Sequence, residues 1–397
     1  MKGSIRQRTK GSWEVTIDLG RDGATGRRLR HYESIRGGKK LAQQRLAELL
    51  VSFEQGSYIK PKRITLGEWF ENWLNGYVAT NCSPKTAQSY QSEVHCHLTP
   101  ALGRIPLAQL QPQHVQNYYS HALSQGRADG KGGLSKRTVL YHHCILFEAL
   151  NYAVRQGVVA RNVAQAVDPP RPERKGMTIL TSEQLTKFWN CAQETPYYEF
   201  FYTLYCTGLR RGEGLALRWR NVDLDMACFF VVETAYKLNG TYIIRQPKTA
   251  KSRRGVALPP SLALLLREYK AGREVERLLL GKRLTDDDFV FADASGAPLN
   301  PDTVTHAFGK LIRKAGLPHA RLHDLRHTHA TLMLKEGIHP KIVQERLGHS
   351  NIATTLDIYS HVVPGLQEAA AERFDKLLTR ENVGKMSAGR PGPDSGR

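Results

Sequence analysis

Hydrophobic and polar residues alternate near the start of the chain. Apolar residues occupy every second position from 13 to 19, which is typical of a strand with one buried face. The segment 29–32 can return as a neighbouring strand. After the glycines at 37 and 38, apolar residues follow helical spacing as far as Phe53, and Gly56 ends that helix. The pattern therefore predicts a small sheet plus one helix over 1–55.

Between residues 64 and 160 the apolar positions follow helical spacing. The segment 66–77 places its large apolar residues on one helix face. Ser83 is a typical N-cap with a proline in the first turn, Pro112 opens another helix, and Ser135 caps a long one. Four helices in about 95 residues indicate a compact bundle.

A stretch rich in proline and charge, 165–178, reads as a linker between the bundle and the rest of the chain. A capping-box pattern at 181–184 then begins two helices that reach about Leu217. Short strands are predicted at 229–233, 242–246 and 255–258. Further helices are predicted at 259–273, 301–315, 323–336, 340–347 and 364–378. Residues 381–397 are rich in Gly, Ser and Pro, which predicts a disordered tail.

The predicted fold class is mainly α with small β-sheets, divided among several domains. A chain of 397 residues exceeds one ordinary core, which supports this division. We expect a three-stranded sheet plus helix at 1–60, a helical bundle at 61–168 and a mixed α+β domain at 175–380. The segment 381–397 follows as the tail.

Charge narrows the choice of partner. The chain has 57 Lys and Arg against 37 Asp and Glu, a net charge of +20, which indicates nucleic acid first and an anionic membrane surface second. Residues 1–63 hold 15 basic and 6 acidic residues, so almost half of the surplus is N-terminal. The sequence contains no run of 18 apolar residues, the length that a membrane-spanning helix needs. The six cysteines form no CxxC pair, which favours reduced thiols and a cytoplasmic location.

Segments in the last domain concentrate Arg, His and Tyr. They are 207–213, 322–328, 347–350 and 357–361, together with a basic turn at 246–254. Paired guanidinium groups suit a phosphate, histidine can move a proton near neutrality, and cations can activate a tyrosine hydroxyl. A phosphate held by two arginines beside a tyrosine indicates phosphoryl transfer through a phosphotyrosine intermediate. Neither a Walker loop nor a carboxylate cluster suited to Mg²⁺ is visible in the sequence.

In type, order and context these segments resemble the tyrosine recombinase, or phage integrase, family. The resemblance covers 175–380 as the catalytic domain and, more weakly, 64–165 as the core-binding domain. The segment 1–55 is similar to the arm-type DNA-binding domain of integrases. The resemblance implies a site-specific recombinase that works without a cofactor, as a homo-tetramer on the core and arm sites of double-stranded DNA. An accessory directionality factor or a host DNA-bending protein is a further expected partner.

The resemblance implies a set of six catalytic residues. They are Arg210, Lys248, His323, Arg326, His349 and Tyr359. Tyr359 would attack a scissile phosphate, release a 5′-hydroxyl and leave a 3′-phosphotyrosyl link. Arg210 and Arg326 would hold the non-bridging oxygens and stabilise the developing charge.

The remaining three positions would handle protons. Lys248 would protonate the leaving oxygen, with Lys251 as the rival lysine in the same turn. His323 would accept the tyrosine proton, and His349 would hydrogen-bond the phosphate. The sequence departs from the family pattern at Gly214, where a leucine is usual, and this places only local helix packing in question.

Several alternatives stay open. A Xer-type resolvase shares the chemistry, but Xer proteins lack the arm-binding domain, so 1–55 favours the integrase of a mobile element. A catalytically inactive DNA-binding regulator is disfavoured because all six positions are filled. The histidine and cysteine groups at 95–97 and 142–144 suggest zinc, but adjacent residues of a helix point in different directions and the groups are about 45 residues apart. We therefore predict no metal ligand.

Overall fold

The computed structural model describes residues 2–21, 26, 28–54, 64–173, 177–246, 253–359, 371–372 and 374–375. The chain forms two compact units, Met1–Arg174 and Lys175–Arg397, and each is described by itself. The predicted separation of 1–60 from 61–168 stays a prediction. Lys248, Lys251, the predicted tail and most of the predicted helix at 364–378 lie outside the described residues.

The first unit opens with an antiparallel sheet whose strands pair in chain order. Its elements are β1 (Lys2–Thr9), β2 (Ser12–Arg21), β3 (Arg28–Arg36) and the helix α1 (Lys39–Glu54). Val15 and Ile17 on the inner face of β2 are fully buried, and they pack with Ala42 and Leu49 of α1. The small sheet followed by one helix that the sequence predicts is confirmed.

Four continuous helical segments follow in the first unit, as predicted. Their α-helical parts are α2 (Leu66–Trp73), α3 (Ala79–Asn81), α4 (Pro84–Glu93), α5 (Thr99–Leu102), α6 (Pro112–Gln125) and α7 (Lys136–Arg155). Two π-helical turns, Leu74–Val78 and Val94–Leu98, make α2 continuous with α3 and α4 continuous with α5. Ser83 and Ser135 cap α4 and α7 by accepting hydrogen bonds from backbone N–H groups of the first turn.

The second unit contains helices around two small antiparallel sheets. Its first elements are α8 (Ser182–Ala192), α9 (Tyr198–Thr207), α10 (Arg211–Leu215), β4 (Val222–Asp223), β5 (Cys228–Val231), β6 (Thr234–Leu238), β7 (Thr241–Arg245) and β8 (Arg254–Ala257). The remaining helices are α11 (Pro260–Leu279), α12 (Pro301–Lys314), α13 (Asp324–Lys335), α14 (Pro340–Leu347) and α15 (Ile352–Tyr359). One sheet has the order β4-β5-β8, and the other is the hairpin β6-β7.

Aromatic rings form the centre of the second unit. The ring of Phe308 in α12 lies 5.1 Å from that of Phe188 in α8 and 5.6 Å from that of Phe201 in α9. Phe200, on the neighbouring position of α9, packs edge-on against Phe291 at 5.2 Å. This packing fixes the position of α9, whose last turn leads into the candidate site. No helix among the described residues is long and apolar enough to cross a membrane.

Candidate active site

Arg210 lies at the turn between α9 and α10. Gly208 ends α9 with a φ of 67°, and a Cβ at this position would come within 2.6 Å of Leu347 and 2.8 Å of His329, so glycine is required. The turn places Arg210 at the N-cap of α10. There its backbone N–H donates to Glu213 Oε2 at 2.9 Å, and its Nη1 donates to Oε1 at 2.7 Å.

Glu213 is a buried carboxylate between two arginines. Arg254, the first residue of β8, donates from Nη2 to Glu213 Oε2 at 2.9 Å, and only 6% of the Arg254 side chain and 4% of the Glu213 side chain are exposed. Burial raises the pKa of Glu213, but Arg254 and Arg210 outweigh it and bring the pKa below its ordinary value. Glu213 therefore stays ionised and holds the Arg210 guanidinium in place.

Arg326 in α13 is almost entirely buried. Its Nη1 donates to the carbonyl of Gly208 at 2.6 Å, and its Nη2 donates to the carbonyl of Leu347 at 2.7 Å. Arg210 donates from Nη2 to the next carbonyl, that of Gly348, at 3.3 Å. The carbonyl oxygens of Leu347 and Gly348 lie at the C-terminal end of α14, where unpaired carbonyl groups attract cations. Both arginines therefore meet at one helix end.

His349 follows directly after that helix end. Its Nδ1 is hydrogen-bonded to Thr355 Oγ1 of α15 at 2.9 Å, and Gln344 Nε2 donates to its carbonyl at 2.9 Å. Burial and the charges of Arg326 and Arg210 lower the pKa of His349 to about 4. The imidazole is therefore neutral at pH 7.

His323 immediately precedes α13 and keeps part of its surface exposed. Its ring lies edge-on to the His327 ring, with the centroids 4.9 Å apart. Partial burial, the His327 ring and the charges of Arg326 and Arg210 lower the pKa of His323 to about 4. This imidazole is also neutral at pH 7, so it can accept a proton.

The structure brings four of the six predicted residues, Arg210, Arg326, His323 and His349, into one site. Tyr359 is the last residue of α15, the helix whose Thr355 contacts His349, but its side chain lies outside the described residues. The predicted roles of Tyr359 and Lys248 stay predictions.

Sequence reasoning missed Arg254, although it ends the basic turn at 246–254. Besides its ion pair with Glu213, Arg254 donates from Nε to the carbonyl of Arg346 at 2.6 Å. A Cβ on Gly348, whose φ is 66°, would come within 2.9 Å of Arg254 Nη1. Arg254 therefore supports the same helix end that binds the other two arginines.

Gly214 also has a structural reason for departing from the family pattern. A Cβ at this buried position would lie 2.9 Å from Leu204 Cδ2 and 3.1 Å from Phe200 Cε2. These side chains of α9 already fill the space that a larger residue would occupy. The helix packing that the departure placed in question is thus complete.

The model of the phage integrase family matches residues 178–364, and the model of the N-terminal SAM-like domain of phage integrases matches residues 65–123. The XerC-like tyrosine recombinase of Caldanaerobacter subterraneus subsp. tengcongensis is 28% identical over 92% of this chain and 96% of its own length. The ICEBs1 integrase of Bacillus subtilis is 26% identical over 94% of this chain and 100% of its own length. The tyrosine recombinase XerC of Bacillus licheniformis is 30% identical over 58% of this chain and 72% of its own length.

Solved structures show the same fold. The Tn1549 transposon integrase in complex with a circular intermediate DNA superposes with a TM-score of 0.65 and 21% identity, covering 78% of this chain and 99% of that one. A lambda integrase tetramer bound to a Holliday junction superposes with a TM-score of 0.54 and 19% identity, covering 87% of this chain and 95% of that one. The chain belongs to the phage integrase family of tyrosine recombinases. It is accordingly a site-specific DNA recombinase.

Proposed function

We propose that this recombinase is the integrase of a mobile element and that it cleaves and rejoins DNA through a 3′-phosphotyrosyl link to Tyr359. One observation carries the chemistry: Arg210 and Arg326 meet at the carbonyl-rich end of α14, directly beside His349. The role in a mobile element is supported by the similarity to the ICEBs1 integrase and to the Tn1549 transposon integrase.

The two arginines would bind the non-bridging oxygens of the scissile phosphate. Arg210 keeps 39% of its side chain exposed, so it can reach a DNA backbone. Fixed guanidinium groups stabilise the charge that develops in the transition state without reorganising at that moment. Glu213 and Arg254 serve this step by holding Arg210 and the end of α14 in position.

The transfer itself needs two proton movements. The Tyr359 oxygen forms a bond to phosphorus while the bond to the 5′-oxygen breaks, and His323, neutral at pH 7, accepts the phenolic proton. Lys248, or its rival Lys251, would protonate the leaving 5′-oxygen. The phosphodiester energy is kept in the covalent link, so a 5′-hydroxyl can reverse the step without a cofactor.

The exposed face of the N-terminal sheet supports an arm-site domain at 1–60. The buried residues of β2 face α1, and the register places Arg6 and Arg30 on the opposite face of the sheet, with Tyr32 55% exposed beside them. A sheet with a basic outer face can be laid in a major groove. Domain 61–168 would bind the core site and 175–380 would carry catalysis, within a tetramer such as lambda integrase forms on a Holliday junction.

The covalent step is tested with a nicked suicide duplex that carries the core site of the element encoding the chain. Wild-type protein should form a covalent adduct on a denaturing gel, whereas Tyr359→Phe should form none because it lacks the attacking oxygen. Retained DNA binding by the variant, measured by mobility shift, is the control. An adduct that persists in Tyr359→Phe would show that another residue is the nucleophile.

A further inference from the structure

Two histidines and one carboxylate from separate elements meet inside the helical part of the first unit. Glu93 ends α4, His97 lies in the π-helical turn that follows, and His142 lies in α7. Glu93 Oε2 is 2.9 Å from His142 Nε2 and 3.9 Å from His97 Nε2. Each residue offers one ligand atom, and these atoms all lie within 4.8 Å of one another.

We propose that Glu93, His97 and His142 form a binding site for a divalent transition-metal ion, with Zn²⁺ as the best fit. Zinc bonds nitrogen and oxygen at about 2.0–2.1 Å in a tetrahedral arrangement, which separates neighbouring ligand atoms by about 3.3 Å. The distances of 2.9 and 3.9 Å lie on either side of this value. Small side-chain rotations would bring all three atoms to bonding distance.

The surroundings of His142 are those of a metal ligand. The side chain is fully buried, and its Nδ1 lies 2.7 Å from the Tyr118 hydroxyl, which fixes the ring with Nε2 directed at Glu93. Ligating histidines commonly have such a hydrogen-bonded partner on the second ring nitrogen.

A cavity lies next to His97, one of the three proposed ligands. It has a volume of about 580 Å³, and His97 and Tyr118 are among its lining residues. A water molecule from this cavity could complete the tetrahedron. The bound ion would connect α7 with the π-helical turn that follows α4. It would therefore stabilise the helical bundle through contacts that do not involve the predicted catalytic residues.

The test uses the untagged full-length protein after treatment with a chelator. Calorimetry with Zn²⁺ should show one bound ion, and Co²⁺ should give the visible absorption of a four-coordinate site. His97→Gln and Glu93→Gln should each weaken binding at least tenfold, and Zn²⁺ should raise the Tm of the wild type but not of these variants. These partly exposed positions carry the test because His142 is fully buried.

His95→Gln is the matched control, because His95 lies in the same turn and its Nε2 lies 2.8 Å from a different carboxylate, Glu71 Oε1. This variant should bind Zn²⁺ as the wild type does, and so should Cys96→Ser. Stoichiometric binding that survives in both His97→Gln and Glu93→Gln would overturn the proposal. Failure of the wild type to bind Zn²⁺ would do the same, and Glu93 and His142 would then be a hydrogen-bonded pair only.

Discussion

At the scale of single residues, Glu213 is the carboxylate that holds two arginines of the candidate active site. One carboxylate neutralises Arg254, which is buried, and orients Arg210, which is partly exposed. A buried ion pair contributes little net stability compared with apolar packing, but removing one partner leaves the other charge uncompensated. The structure of the site therefore depends on Glu213 more than on any surface ion pair of this unit.

Replacing Glu213 by Gln should lower the free energy of unfolding of the second unit by about 3 kcal/mol, because it removes one partner of the buried Arg254–Glu213 ion pair. Urea unfolding measures this change. Glu194→Gln is the control, since the Lys314–Glu194 pair is 58% and 67% exposed and should contribute about 0.5 kcal/mol or less. Equal losses in the two variants would contradict the role assigned to Glu213.

At the scale of secondary-structure elements, two helices end at the candidate active site in glycines with a left-handed backbone conformation. Gly208 ends α9 and Gly348 ends α14, and the carbonyls of both glycines accept hydrogen bonds from the site arginines. Glycine both permits the left-handed turn and keeps the backbone close to its neighbours. The two helix ends thus determine where the guanidinium groups lie.

Gly208→Ala should therefore impair both stability and catalysis. Strain at positive φ costs about 1 kcal/mol, and the new Cβ would also collide with Leu347 and His329, so a loss of at least 2 kcal/mol and a strongly reduced cleavage rate are expected. Gly316→Ala is the matched control in the same unit, because its φ is 65° but no atom lies within 4 Å of its Cβ. If both variants lost the same stability and kept full cleavage, the contact at Gly208 would be unimportant.

The elements that sequence reasoning missed have local explanations. The strand β6 was not predicted, although Asn239 and Gly240, both with positive φ, form the two-residue turn of its hairpin with β7. The helix predicted at 259–273 continues to Leu279. The prediction ended too early because the final turns expose apolar side chains, which an amphipathic pattern does not favour. The π-helical turns leave no signature in hydrophobic spacing at all.

At the scale of the whole molecule, short motifs could be predicted and distant contacts could not. Arg210, His323, Arg326 and His349 lie in compact motifs, so their types and order sufficed. Arg254 reaches Glu213 across 41 positions, and no local pattern distinguishes it from the other cations of its turn. The same holds for the meeting of α4 and α7 at the proposed metal site, since only tertiary packing decides which histidine of each group faces the other.

The uneven distribution of charge predicts how the whole chain responds to salt. DNA binding that neutralises phosphates weakens with salt, with a slope of log K against log salt of about −0.9 for each contact. Deleting 1–60 removes most of the N-terminal surplus of 15 basic over 6 acidic residues, so the slope on DNA with both arm and core sites should become less steep by several units. Fluorescence anisotropy over a range of NaCl concentrations measures this slope.

On a duplex with only the core site, the truncated and full-length proteins should give nearly equal slopes and equal cleavage. Loss of core-site cleavage, or an unchanged slope on the arm-site DNA, would refute a separate DNA-binding role for 1–60.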